Sequence, residues 1–358
     1  MKTWLVTGGA GFIGSALVRL ARARKLARVV NLDLLTYAGN PDNLAPLADD
    51  PDHVFVQGDI RDVELVARLL DEHRPLAVIN FAAESHVDRS IADPAPFLTT
   101  NVIGTQALLE AVRSHLHTLP GHEADAFRFL QISTDEVFGT LGPDDPPFSE
   151  TTVYAPNSPY AASKAASDLL VRAYWHTYRL PVLLTNCSNN YGPRQFPEKL
   201  IPLAICNALD GLLIPVYGDG LQVRDWLHVA DHCEGILAAL ERGEPGGTWC
   251  LGGGSGPTNL EIMRDICRLL DEERPEGAPH ERLLAHVDDR PAHDRRYAVD
   301  FSKARRELGW EPHTPLADGL RATVRWYIDN GFWVERARSG ACRRGFERPA
   351  EIGPLAGS

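Results

Sequence analysis

Nothing in this sequence approaches the ~18 uninterrupted apolar residues that a membrane-spanning helix needs. Basic residues are in deficit: 36 Lys+Arg stand against 48 Asp+Glu, a formal net charge of −12. A chain of that sign, with no basic run covering a whole face, has no electrostatic footprint for nucleic acid. Cysteine is sparse, and its six positions (Cys187, Cys206, Cys233, Cys250, Cys267 and Cys342) include no C-x-x-C pair. Two states are open to them, three disulfides or six thiols. Disulfide frameworks belong to short secreted chains and zinc sites need closer ligands, so reduced thiols and no metal are expected. The first apolar strand begins directly after Met1 and Lys2, which leads us to expect no leader and a cytoplasmic location.

What remains is a globular composition, 44% hydrophobic and 23% charged over 358 residues. That length suits two domains, or one large α/β unit with an appended lobe. Strand-like runs at 3–7, 28–32, 53–57, 77–81, 128–133 and 182–186 alternate with helical periods at 12–24, 63–73, 96–116 and 160–178. Such alternation predicts a parallel sheet covered by helices, with the chemistry in the loops after the strands. Beyond about residue 190, Pro and Gly break the pattern, and helical periods return at 262–270, 302–308 and 316–329. The expected organisation is a nucleotide-binding domain at 1–190 and a smaller mixed α/β substrate lobe at 191–335. The chain is allowed to cross back to the sheet. An aperiodic, peripheral tail is expected at 336–358.

The segment from Thr7 to Gly14 reads T-G-G-A-G-F-I-G between the first strand and the first helix. Gly8 permits the tight turn, Gly11 the approach of a pyrophosphate, and Gly14 close helix–sheet packing. Phe12 and Ile13 lie at the helix start, where free N–H groups meet the phosphates. Asp33 ends the second strand, placed to accept from both ribose hydroxyls and to repel a 2′-phosphate. The cofactor implied is NAD, in a Rossmann-type doubly wound sheet. Asp59-Ile60 follows the third strand, where either an adenine contact or a helix cap fits.

Tyr160 and Lys164 stand four apart at a helix start, so a nearby ammonium would lower the phenol pKa and make Tyr160 a base. With these motifs the chain resembles the extended short-chain dehydrogenase/reductases, NAD-dependent enzymes of nucleotide sugars, up to about residue 335. Within that resemblance, Thr134-Asp135-Glu136 ends a strand and is expected to point into the site. Adjacent acids suit loss of water from carbons 5 and 6 of a hexose. Epimerases typically carry small residues there, and decarboxylases and GDP-mannose dehydratases Thr-Ser-Glu. Thr-Asp-Glu looks like the branch that dehydrates dTDP-glucose. Where many of that branch read Tyr, this chain has Phe138, a packing position.

The resemblance implies further contacts. Ala82, Ala83, Ser85, Thr36, Thr100 and Asn190 would touch the cofactor, together with Tyr160 and Lys164. Ser85, His86, Thr134, Asn189, Glu198, Lys199, Leu200, Tyr217, Arg224, Asn259, Arg290, His293 and Tyr297 would hold the substrate. Lys199, Arg224 and Arg290 offer positive charge to a diphosphate that the net charge of the chain would repel. Tyr160, aligned by Thr134, would take the 4-hydroxyl proton, Glu136 the carbon-5 proton, and Asp135 would protonate the departing 6-hydroxyl. Because they adjoin, the two acids titrate as a coupled pair. A dehydratase or epimerase acting on a UDP- or GDP-sugar and an inactive NAD-binding regulatory protein are the alternatives. A homodimer through helices 96–116 and 160–178 is the expected assembly.

Overall fold

A computed structural model describes residues 1–343. Its centre is a seven-stranded parallel sheet with the order β10-β6-β5-β4-β1-β2-β3. The strands are β1 (Thr3–Thr7), β2 (Arg28–Asp33), β3 (His53–Gln57), β4 (Ala77–Asn80), β5 (Arg128–Thr134), β6 (Val182–Cys187) and β10 (Thr248–Leu251). Four shorter strands complete the set: β7 (Asn189–Tyr191), β8 (Ile214–Tyr217), β9 (Trp226–His228) and β11 (Leu284–Val287). Strand order reverses between β1 and β4, which pair in parallel from Trp4↔Ala77 to Thr7↔Asn80. A ligand crevice opens beyond the carboxyl ends at such a reversal. There the Thr7 hydroxyl donates to Asn80 Oδ1 at 2.6 Å, fixing the two strand ends side by side.

Both sheet faces are covered. Helices Phe12–Ala23 and Val229–Arg242 pack on one face through Leu17, Val18, Ile236 and Leu237. Helices Val63–His73, Thr105–Leu116 and Pro159–Tyr178 cover the other through Val66, Leu70, Leu108 and Val171. The expected helix at 96–116 is interrupted, because Leu98–Gly104 forms a wider π-helical turn before the regular helix begins at Thr105. Strand β10 and helix Val229–Arg242 come from the second half of the chain, yet belong to this sheet.

The second core gathers helices Leu200–Leu209, Asn259–Glu273 and Leu316–Asp329 around Trp226, Ile262 and Tyr327. Here the two-stranded sheets β11-β8 and β7-β9 form. The aperiodic reading from residue 336 is corrected at its start. Helix Gly331–Ser339 carries the chain on, burying Trp333 and Ala337, and Cys342 is also buried. Arg336 pairs with Asp42 at 2.6 Å, and Arg343 donates to the Tyr37 carbonyl. Local periodicity missed this helix because its anchors lie on a loop some 290 positions away. Residues 344–358 of the expected tail lie outside the described residues. All six cysteines are unpaired and buried, and no helix among the described residues is long and apolar enough to cross a membrane.

Candidate active site

One cavity of about 760 Å³ lies over the carboxyl ends of β1, β2, β4, β5 and β6. Its floor is the glycine loop. Gly8 has a φ of +68°, and a Cβ there would meet Ala82 N at 2.6 Å. A Cβ on Gly14 would stand 2.4 Å from the Gly8 carbonyl, so the turn closes only without one. Gly11 is different. Only the Gly8 carbonyl, at 3.2 Å, approaches its missing Cβ, and the rest of that space faces the cavity.

Asp33 is buried beneath this loop. Its carboxylate accepts from Ala10 N and Leu35 N, each at 2.8 Å, so it ties the loop to the end of β2. Burial pushes its pKa up and these backbone bonds oppose the shift. Every residue expected at the cofactor lines the cavity: Gly8, Gly11, Phe12, Ile13, Gly14, Asp33, Thr36, Asp59, Ile60, Ala82, Ala83, Ser85, Thr100, Tyr160, Lys164 and Asn190. Asp59 bonds Arg61 and does not cap the following helix, whose cap is Asp62. Asn190 has its amide oxygen 2.9 Å from His232 Nδ1 and donates to the Ser188 carbonyl at 3.0 Å. Burial pushes His232 down to about 3, which keeps that ring neutral. A Cβ-free cradle, a buried acid at the end of β2 and a fixed amide fit NAD.

The reacting end is built by the end of β5 and the start of helix Pro159–Tyr178. Thr134 Oγ1 accepts from Glu136 N at 3.2 Å and so turns the chain into the short 3₁₀ helix Asp135–Phe138. Glu136 faces the cavity. Asp135 does not, which corrects the expectation that both acids point into it: neighbouring residues in that tight turn project in different directions. Asp135 is 1% exposed, its Oδ1 accepting from the Thr134 hydroxyl at 3.3 Å and its Oδ2 without a partner among the described residues. Burial, then Glu136 and Asp225, hold its carboxyl well above the usual range. Burial also raises Glu136, opposed in turn by Lys199, Arg290 and Arg224.

Tyr160 departs from the simple Tyr–Lys expectation. Burial dominates and pushes its phenol well above the ordinary value, with Glu136, Cys187 and Asp135 adding to the shift. A hydrogen bond with Thr134 pulls it back. Lys164 donates to the Ile132 carbonyl at 2.8 Å.

The expected substrate residues divide. Ser85, Thr134, Asn189, Glu198 and Lys199 line the cavity, and Lys199 Nζ donates to the Ser85 carbonyl at 3.0 Å. His86, Leu200, Tyr217, Arg224, Asn259, Arg290, His293 and Tyr297 lie outside its wall. His86 sits 3.7 Å from Glu198, and Leu200 starts a helix and packs in the second core. Asn259 is buried at the start of helix Asn259–Glu273. Tyr217 and His293 meet edge to face, Arg290 lies 3.5 Å from Asp88, and Tyr297 donates to Asp294 at 2.6 Å. Arg224 covers the Tyr297 ring at 4.3 Å and donates to the Asp294 carbonyl. Arg224 and Arg290 still act on Glu136, which joins this group electrostatically to the cavity.

Glu84, Arg194, Gln195, Phe196 and Trp333 also line the cavity and were missed. The three at 194–196 follow closely on the expected Asn189 and Asn190, a usable signal. Trp333 had none. It reaches the wall through the helix described above, with Nε1 donating to Asn43 Oδ1 at 3.1 Å.

A doubly wound sheet, a glycine cradle and a Tyr–Lys pair define an NAD-dependent short-chain dehydrogenase/reductase fold. The family model described as GDP-mannose 4,6 dehydratase matches residues 5–323. A dTDP-glucose 4,6-dehydratase of Xanthomonas campestris pv. campestris is 61% identical over 96% of this chain and 98% of its own. That of Escherichia coli K12 is 50% identical over 97% and 98%. The solved dTDP-glucose 4,6-dehydratase from Streptomyces venezuelae, with NAD bound, superposes with a TM-score of 0.85 at 48% identity, covering 94% of this chain and 99% of that one. This chain belongs to the nucleotide-sugar 4,6-dehydratase family.

Proposed function

We propose that the protein removes water from dTDP-glucose and releases the 4-keto-6-deoxy sugar nucleotide, for use in deoxysugar biosynthesis. The observation that carries this reading is Glu136 on the cavity wall, backed by Asp135 and standing with Tyr160, where an epimerase needs no acid pair. NAD, when bound on the glycine cradle and Asp33, would supply the hydride acceptor for sugar carbon 4 and the hydride donor for carbon 6, and a solvent-exchanged proton returned to carbon 5 completes the product. The residues of the chain move the protons. Tyr160, hydrogen-bonded to Thr134, takes the 4-hydroxyl proton. The resulting ketone acidifies carbon 5, and Glu136, kept ionisable by three nearby cations, takes that proton. Asp135, held protonated by burial and by Glu136, is the acid for the leaving 6-hydroxyl. Lys199, Arg224 and Arg290 supply the positive field that a diphosphate needs in an acidic protein.

With dTDP-glucose in deuterated water, the product should carry deuterium at carbon 5. In parallel assays UDP-glucose and GDP-mannose should be turned over at least about tenfold less efficiently. Preference for GDP-mannose would replace the substrate with the one in the family model's name. Turnover of none of the three would leave an NAD-binding protein.

The assembly we propose is a homodimer in the cytoplasm. Leu98 and Ile103 on the π-helical turn are 51% and 55% exposed, and Leu169 on the helix packed against it is 56% exposed. Covering such a patch on a second copy removes it from water. Light scattering should give twice the mass of one chain, and Leu169→Arg should reduce it to one. A monomeric parent protein would overturn the assembly.

A further inference from the structure

Helix Pro159–Tyr178 turns a polar edge toward the interior. Tyr160, Lys164 and Asp168 stand four residues apart, hence on one face, and are 8%, 4% and 0% exposed. Tyr160 and Lys164 reach the cavity. Asp168 does not, and the elimination gives it no task. A fully buried carboxylate is costly unless its charge is answered.

Its surroundings are built for ionisation. Oδ2 accepts from the Ser133 hydroxyl at 2.6 Å, from Asn186 Nδ2 at 3.2 Å and from the Tyr154 hydroxyl at 3.3 Å. Oδ1 has no hydrogen-bond partner among the described residues. Ser133 precedes Thr134 on β5, and Asn186 precedes Cys187 on β6. One carboxylate therefore binds two strand ends to the helix that carries the Tyr–Lys pair.

Lys164 has the complementary need. A buried ammonium tends to shed its proton, and among the described residues Nζ bonds only a neutral main-chain carbonyl, that of Ile132. The ionisable groups that bear on it are Asp168 on its own helix and the Cys187 thiol on β6, and Cys187 bears on Tyr160 as well. Asp135 and Glu136, after β5, bear on Tyr160, while Tyr154 and Arg172 flank Asp168. Asp168 is the largest influence opposing the loss of the Lys164 proton.

We propose that Asp168 is a positioning residue for the Tyr160–Lys164 pair, the buried counter-charge that keeps Lys164 an ammonium. This rests on the reading of that pair as the proton-handling centre. Burial raises the Asp168 carboxyl to about 6, and Lys164, Ser133, Asn186 and Tyr154 all resist the rise. Asp168 is thus mostly charged from pH 7 upward.

Asp168→Asn tests the charge with the shape kept, because the amide oxygen can take all three bonds on Oδ2. The chain has five lysines, so carbon-13 lysine labelling gives few signals, and Lys164→Met assigns the one needed. The Lys164 titration midpoint should fall by about one pH unit or more in Asp168→Asn. The alkaline limb of kcat should move down with it. A midpoint within about 0.3 unit of the parent, well below the usual spread of lysine environments, overturns the proposal. The parent protein offers a second readout that needs no Asp168 variant. The Lys164 signal should show an inflection near Asp168's own titration, which burial places at about 6. Ser133→Ala, by removing a bond to the carboxylate, should move that inflection upward, and its absence overturns the proposal too. Failure to turn over dTDP-glucose would overturn the substrate reading and leave these titrations standing.

Discussion

Tyr160→Phe is expected to cut kcat on dTDP-glucose by about a thousandfold, the middle of the range for losing a positioned base. Its phenolate oxygen is the proton acceptor in the step that creates the ketone, and without that ketone carbon 5 is not acidic. Deuterium incorporation at carbon 5 should therefore fall in the same proportion as turnover. The amount of NAD retained through gel filtration should not change, because the glycine cradle and Asp33 are untouched. The ring itself stays packed edge to face on Phe97, so thermal stability should hold. A variant within about tenfold of the parent rate would remove Tyr160 as the base.

Asp135→Asn should trade activity for stability. Loss of the acid for the 6-hydroxyl should slow turnover by about a hundredfold or more, while oxidation at carbon 4 survives as a transient absorbance of reduced cofactor. Stability should move the other way. The fold holds the Asp135 carboxyl well above its ordinary value, chiefly by burial. The native state thus keeps a proton that the unfolded chain releases above about pH 4. That penalty is absent below pH ~4 and grows as pH rises toward the folded-state value. An amide in the same place never incurs it. The Tm of Asp135→Asn should match the parent at low pH and exceed it by roughly 2 °C at pH 8. Equal Tm values at both pH values would mean that Asp135 is not strained by its burial. Unchanged turnover would remove it as the acid.

The residues legible in the sequence are those whose partners lie close along the chain. Gly8, Gly11 and Gly14 make one turn, Tyr160 and Lys164 share one helical face, and Thr134 to Glu136 occupy a single strand end. Asp33 was legible because its distance from the glycines is set by one helix and one strand. Of the fold, the six strands of the first half follow from short β-rich runs, and helix 63–73 from its apolar stripe. The seventh strand was hidden, since Thr248–Leu251 pairs with β6 some sixty residues earlier. Trp333 reaches the cavity only because a distant segment folds back, and no local period encodes that, whereas Glu84 stands between the expected Ala83 and Ser85. The direction of Asp135 was misread because a strand period was carried into a tight turn. Lys164 was expected to lower the Tyr160 phenol, and burial, which a sequence does not display, pushes it the other way.

Strand β10 has a consequence for how such a protein changes over time. The half that gathers sugar-nucleotide contacts also supplies the edge strand of the cofactor sheet. Cutting the chain after residue 190 would leave β6 with open backbone groups, an edge prone to pair with other chains. The halves are not cassettes that recombination can exchange, because each donated piece would carry part of the other's scaffold. New preferences for base or sugar must then accumulate one replacement at a time, in the loops around Lys199, Arg224 and Arg290, while the interlocked sheet stays as it is.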